Sequence, residues 1–153
     1  MTTHRILLAL DESNESLRAA RTAVELFPDA EFLVLNVARI PVPWMPIDAF
    51  GMVGTIPAPD WDEMIDRADD HAKQEITARA EAARVPAAAV LIEHGDPIEA
   101  ICEAAEQHDV DIVVVGSHDK GGLARLFSRS IADGVVHRVH RPVLVVNGTS
   151  LTS

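Results

Sequence analysis

The chain has 153 residues, with 24 Asp and Glu against 13 Lys and Arg, and a formal net charge of −11. An acidic balance of this size argues against nucleic acid as the main partner, because phosphate contacts need clustered Lys and Arg, and it gives no attraction to anionic membranes. The length fits one domain spanning residues 1–153, and a 48% apolar fraction with 24% charged residues suits a globular core.

The first apolar run, Arg5 to Leu10, reads as a strand, and its five apolar residues before Asp11 are too few for a signal peptide. Leu17, Ala20, Val24 and Phe27 then recur at helical spacing, and Pro28 closes the segment. Glu31 to Val37 reads as the second strand. The stretch 40–59 follows, with five prolines (Pro41, Pro43, Pro46, Pro57, Pro59) and the apolar Trp44, Met45, Phe50 and Met52. Long connections of this kind serve as binding loops or lids, or as apolar flaps packed on the domain edge or a partner subunit.

A long helix is expected over 60–84, with Trp61, Met64, Ile65, Ala68, Ala72 and Ile76 on one face and Asp60 and Glu63 forming its acidic start. Ala88 to Glu93 is the third strand. Asp96, Pro97 and Glu99 open the next helix, whose apolar face carries Ile98, Ile101, Cys102 and Ala105. Cys102, the only cysteine, cannot form an internal disulfide and suits quiet core packing. Asp111 to Val115 and Val143 to Asn147 are the fourth and fifth strands, separated by a helix with Ile131, Val135 and Val139 as its stripe, and 148–153 is a tail. Strands that are continuously apolar and alternate with helices specify an open parallel sheet covered on both faces. Nothing approaches the ~20 apolar residues of a membrane span, so the cytoplasm is the expected location.

In such sheets ligands sit beyond the carboxyl ends of the strands, where the winding reverses, which directs attention to Asp11 and Gly116. Asp11 is suited to accept hydrogen bonds from a ribose or adenine, or to cap the following helix, and the two roles are compatible. The stretch VVVGSHDKGGLARLFSRS, residues 113–130, runs from a strand through a glycine turn and Gly121-Gly122 into a helix opened by Ser128 or Ser130. A loop ending at a helix N-terminus presents backbone N–H groups to an anion. No Walker-type lysine, GxGxxG, GxSxG or HExxH is present. The seven histidines are scattered; His137 and His140 fall at i, i+3 on one helix without a third ligand, so no metal site is expected.

Three segments resemble the universal stress protein family: ILLALDESNESLRAARTAVEL, HGDPIEAICEAAEQHDVDIVVVGSH and GGLARLFSRSIADGVVHRVHRPVLVV. The resemblance implies an α/β fold, an open five-stranded parallel sheet of order 3-2-1-4-5 with helices on both faces. It also implies a homodimer formed through Val143 to Asn147 and a regulatory role in stress response through protein partners, while the lack of catalytic motifs speaks against an enzyme. Many members bind ATP through a loop G-x2-G-x9-G-(S/T). On this chain that pattern starts at Gly116 and closes at Ser130, but its second and third glycines fall on Asp119 and Arg129.

Both replacements are charged, and Asp119 would repel a triphosphate whereas Arg129 would grip phosphate. A pairing of Asp119 with Arg129 across the unliganded loop would plug the pocket or select a ligand with fewer phosphates. Glu12 stands where the family often has glycine, and Asn36 where it often has histidine. The reading is a stress-response binding protein with weak or altered nucleotide binding. The alternative is a working adenine-nucleotide site for ATP with Mg²⁺, using Asp11, Val37, Ala38, Gly116, Gly121, Gly122, Arg129 and Ser130. A nucleotidyl-transfer enzyme is a third reading that no motif supports.

Overall fold

A computed structural model describes residues 3–38, 60–117 and 125–147, with backbone alone at Trp61 and over 125–130. Its elements run β1 (Arg5–Ala9), α1 (Asn14–Leu26), β2 (Glu31–Ala38), α2 (Trp61–Ala82), β3 (Ala87–His94), α3 (Pro97–Gln107), β4 (Ile112–Ser117), α4 (Arg125–Arg138) and β5 (Val143–Asn147). The strands are all parallel, in the order β3-β2-β1-β4-β5 expected from the resemblance. The Pro-rich segment 40–59 and the tail 148–153 lie outside the described residues.

Alternation along each strand splits the core in two. Ile6, Leu8, Phe32 and Val34 face α1 and α2, while Leu7, Leu33, Leu35, Val113 and Val115 face α3 and α4. Two buried faces explain why the strands read as unbroken apolar runs rather than as alternating ones. The chain winds outward from β1 through β2 to β3, then recrosses to β4 on the other side of β1. The switch point therefore lies between the carboxyl ends of β1 and β4.

The helices seat differently from their apolar stripes. α1 buries Ser16, Ala19, Ala20 and Ala23, with Leu17 and Val24 only half-buried at the flanks. Small side chains on the contact face let the helix axis come close to the sheet. Among the described side chains of α2 only Ile76 and Ala80 are buried, while Ile65, Ala68 and Ala72 are half-covered and Met64 is 38% exposed. From Met64 onward the expected face of α2 is thus fully seated only toward its C-terminal half.

α3 opens as expected, with the Asp96 carboxylate accepting from Glu99 N–H at 3.0 Å and Pro97 at the first helical position. Cys102 lies beside the buried stripe of Ala100, Ile101, Ala104 and Ala105 and is half-covered. Burial pushes its thiol above the ordinary cysteine range; Arg138 opposes that shift, and Asp96 and Glu106 add to it.

Two expectations about α4 are corrected. The helix begins at Arg125, not at Ser128 or Ser130, because Arg125 and Leu126 are strong helix formers and extend it backward. It ends at Arg138, so His140 lies beyond it and the expected helical His137–His140 pair does not form; both residues are exposed.

Candidate functional site at the β1 and β4 carboxyl ends

The polypeptide leaves β1 through a turn in which Asp11, Ser13 and Ser16 hydrogen-bond to one another. Ser13 is the N-cap of α1, at φ −74° and ψ 151°, and its hydroxyl accepts from Ser16 N–H at 3.1 Å. Asp11 is not the cap. Its Oδ1 accepts from Ser13 N–H at 2.8 Å, a side-chain turn two residues long placed just before the helix. The Ser16 side chain is buried beneath the turn. Its Oγ accepts from Asp11 N–H at 3.1 Å and lies 3.2 and 3.1 Å from the carbonyl oxygens of Asp11 and Ser13, with one proton to share between them.

Gly116 faces this turn across the switch point. A Cβ built there would sit 2.8 Å from the Glu15 carbonyl oxygen and 3.0 Å from Ser16 N. Among the described glycines only Gly95 has positive φ, so Gly116 is a glycine because the first turn of α1 leaves no room for a side chain. The second strand walls the site on its far side. β2 pairs with β1 up to Ala9↔Leu35 and then continues through Asn36, Val37 and Ala38 against β3. Asn36 is 9% exposed, and its Nδ2 donates to the Leu10 carbonyl at 2.9 Å, which takes over where the β1–β2 ladder stops.

Of the residues expected at the site, the structure brings Asp11 and Gly116 to the switch point and puts the half-buried Val37 and Ala38 at the end of β2. Asp119, Gly121 and Gly122 lie outside the described residues. Arg129 and Ser130 lie in the second turn of α4, past the four backbone N–H groups that a helix leaves free at its start, and their side chains are not described. The pairing expected between Asp119 and Arg129 therefore also falls outside what is described.

Two polar contacts were invisible in the sequence because each joins distant segments. Arg79 of α2 donates from Nη2 to the Ser13 carbonyl at 2.9 Å. His94, the last residue of β3, has Nε2 2.8 Å from Oδ1 of Asp69 in α2, a close approach whose angles are not those of a hydrogen bond. Among the described residues no group of three or more His, Cys, Asp or Glu could hold a metal ion, and no helix is long and apolar enough to cross a membrane.

The protein's relatives share this architecture. A universal stress protein of Methanocaldococcus jannaschii is 30% identical over 147 residues, 93% of this chain and 81% of that one. The solved structure of a universal stress protein in complex with cAMP superposes with a TM-score of 0.60 at 18% identity, covering 97% of this chain and all of that one. A member from Arabidopsis thaliana with AMP bound gives 0.60 at 19% identity, covering 96% and 93% of the two chains. At these identities the structural likeness speaks for the fold. The model of the universal stress protein family matches residues 2–147, which takes in all five strands and four helices, so this chain belongs to the universal stress protein family.

Proposed function

We propose that this protein is a regulatory member of its family that binds an adenine nucleotide carrying few phosphates, at the β1/β4 switch point, and acts through binding rather than catalysis. The observation that carries the reading is the ordered turn from Leu10 to Ser16. It holds the Asp11 carboxylate at a strand end, beside the one place where β4 carries no side chain. A carboxylate there suits a sugar hydroxyl or an exocyclic amine, both hydrogen-bond donors. Relatives of the same fold hold cAMP and AMP.

Asp11, Glu12 and Glu15 crowd three acidic groups into this turn. Each weakens a triphosphate more than a monophosphate, and Asp119 adds a fourth at the loop position where the family pattern has glycine. The alternative, a site for ATP with Mg²⁺, keeps the same residues and differs in this charge balance. The cytoplasm is the working location we assign.

Calorimetric titration of nucleotide-free protein with AMP, cyclic AMP and Mg-ATP tests the reading. AMP is expected to bind more tightly than Mg-ATP, and Asp11→Ala to weaken AMP roughly 10- to 100-fold, the loss of one or two charge-assisted hydrogen bonds. Mg-ATP binding as tightly as AMP would transfer the protein to the alternative. Absence of heat with all three would remove nucleotide binding altogether.

A second copy of the chain is the partner proposed for β5. This strand pairs with β4 alone among the described strands, Val143 to Val146 are only half-buried, and Val136 of the adjoining α4 is 47% exposed. An apolar edge of this kind calls for cover. Light scattering is expected to give about twice the 16.6 kDa chain mass; a monomer at micromolar concentration overturns the proposal.

A further inference from the structure

We infer that Arg79 is a positioning residue for the nucleotide site, holding the β1–α1 turn from a helix 66 residues away in the chain. The inference rests on the function proposed above for its consequence, though not for its geometry. Arg79 lies in the last turn of α2, where a cation complements the helix dipole, and simple charge complementarity would leave its side chain in solvent. Instead it is half-buried, with Nε enclosed and without a hydrogen-bond partner. Enclosing part of a guanidinium costs solvation that one hydrogen bond to a neutral carbonyl repays only in part. The dipole of α1 does not favour it there, because a helix N-terminus is the positive end.

The hydrogen-bond pattern supplies the reason. The Ser13 carbonyl would normally anchor the first helical bond, yet Leu17 N–H lies 3.4 Å away, a weak contact. The shorter bond, 2.9 Å, comes from Arg79. The N–H of the same residue donates to Asp11 Oδ1. Ser13 is thus gripped on its carbonyl side by Arg79 and on its amide side by the carboxylate that the proposed site presents. Fixing the Ser13 backbone fixes the rotamer of Asp11, and ties the site to α2, the helix that follows the Pro-rich segment.

Amide hydrogen exchange on nucleotide-free protein, paired with AMP titration, tests this in Arg79→Met and Arg79→Lys. In Arg79→Met, exchange at Asp11, Ser13 and Ser16 is expected to accelerate about tenfold or more while Leu8 and Val34 keep their protection, and AMP affinity to fall about tenfold. Arg79→Lys retains the charge and one donor of similar reach, and is expected to recover most of both. Unchanged exchange at the three turn amides overturns the inference. A uniform acceleration that includes Leu8 and Val34 also does so, since it would mark Arg79 as a merely stabilising residue. If Arg79→Met does not fold, Arg79→Gln, which removes the charge with a smaller change of shape, takes its place: accelerated exchange confined to the turn supports the inference, and wild-type exchange there overturns it. Failure of the wild-type protein to bind AMP would count against the nucleotide reading, whereas the exchange pattern would still decide the role of Arg79.

Discussion

Gly116→Ala is expected to destabilise the protein by about 2 kcal/mol, lower its Tm by about 4–8 °C, and abolish nucleotide binding at the proposed site. The added methyl would meet the Glu15 carbonyl oxygen at 2.8 Å and its carbon at 2.9 Å, both backbone atoms of the first turn of α1. Neither can swing aside as a side chain does. The helix start must move off β4, carrying with it the Ser13 cap, the Ser16 hydroxyl and the turn that holds Asp11.

Gly134→Ala provides the contrast. Its Cβ would overlap Ile98 Cδ1 and crowd Cγ1 at 3.1 Å, both atoms of a half-buried side chain and not of the backbone, so a χ2 change with a small shift of the side chain relieves the clash. Replacing glycine by alanine within a helix returns up to about 1 kcal/mol, and the net effect at position 134 is expected to be near zero. Thermal unfolding of the two variants side by side separates backbone crowding from side-chain crowding. Equal Tm values for Gly116→Ala and wild type would refute the close approach of α1 to β4.

The same glycine shows what a sequence can disclose. Its place at a strand end beside a candidate loop is legible from the run VVVG followed by polar residues. Its physical reason is not, because the Glu15 backbone approaches from a hundred residues earlier in the chain. All five strands are legible to within about two residues at either end, since burial on two faces leaves an unmistakable apolar run. Their order came from the family resemblance and not from periodicity, which is blind to which strands are neighbours.

Helix faces were read less well. The stripe Leu17, Ala20, Val24 and Phe27 does pack on the core, but its fully buried member is Ala20, and Ala19 and Ala23, outside the stripe, join it in the close contact with the sheet. In α2 an apolar stripe continues from Met64 to Ile76, but the sheet covers only its latter part. Arg79 carried no signal in the sequence beyond its residue type, and Asn36 only its departure from the histidine common at that place in the family. Their roles exist only once the Ser13 and Leu10 carbonyls arrive beside them.

Asn36→Asp is expected to be the more damaging of two nearly isosteric changes at that position, costing roughly 3 kcal/mol at pH 7. The wild-type amide donates to the buried Leu10 carbonyl. A carboxylate has no proton to give, and it would set a negative charge against a carbonyl oxygen in a place closed to water. The carboxyl group escapes by holding its proton and donating O–H to Leu10, so its pKa in the folded state must rise above the ordinary value of about 3.9. A raised folded-state pKa gives stability that is complete below the unfolded-state value and is lost as pH climbs through the folded-state one. The stability difference between Asn36→Asp and wild type is therefore expected to shrink as pH falls from 7 toward 4. Comparing the two proteins at each pH removes the losses that both share as their other carboxylates protonate. Asn36→Leu, which also lacks the donor but carries no ionisable group, is expected to cost about 1–3 kcal/mol with no such pH dependence. Denaturant unfolding of the three proteins between pH 4 and 8 checks the whole set. A gap between Asn36→Asp and wild type that stays constant across that range would mean that the side chain at position 36 does not serve the Leu10 carbonyl, and that the end of β1 is held by some other contact.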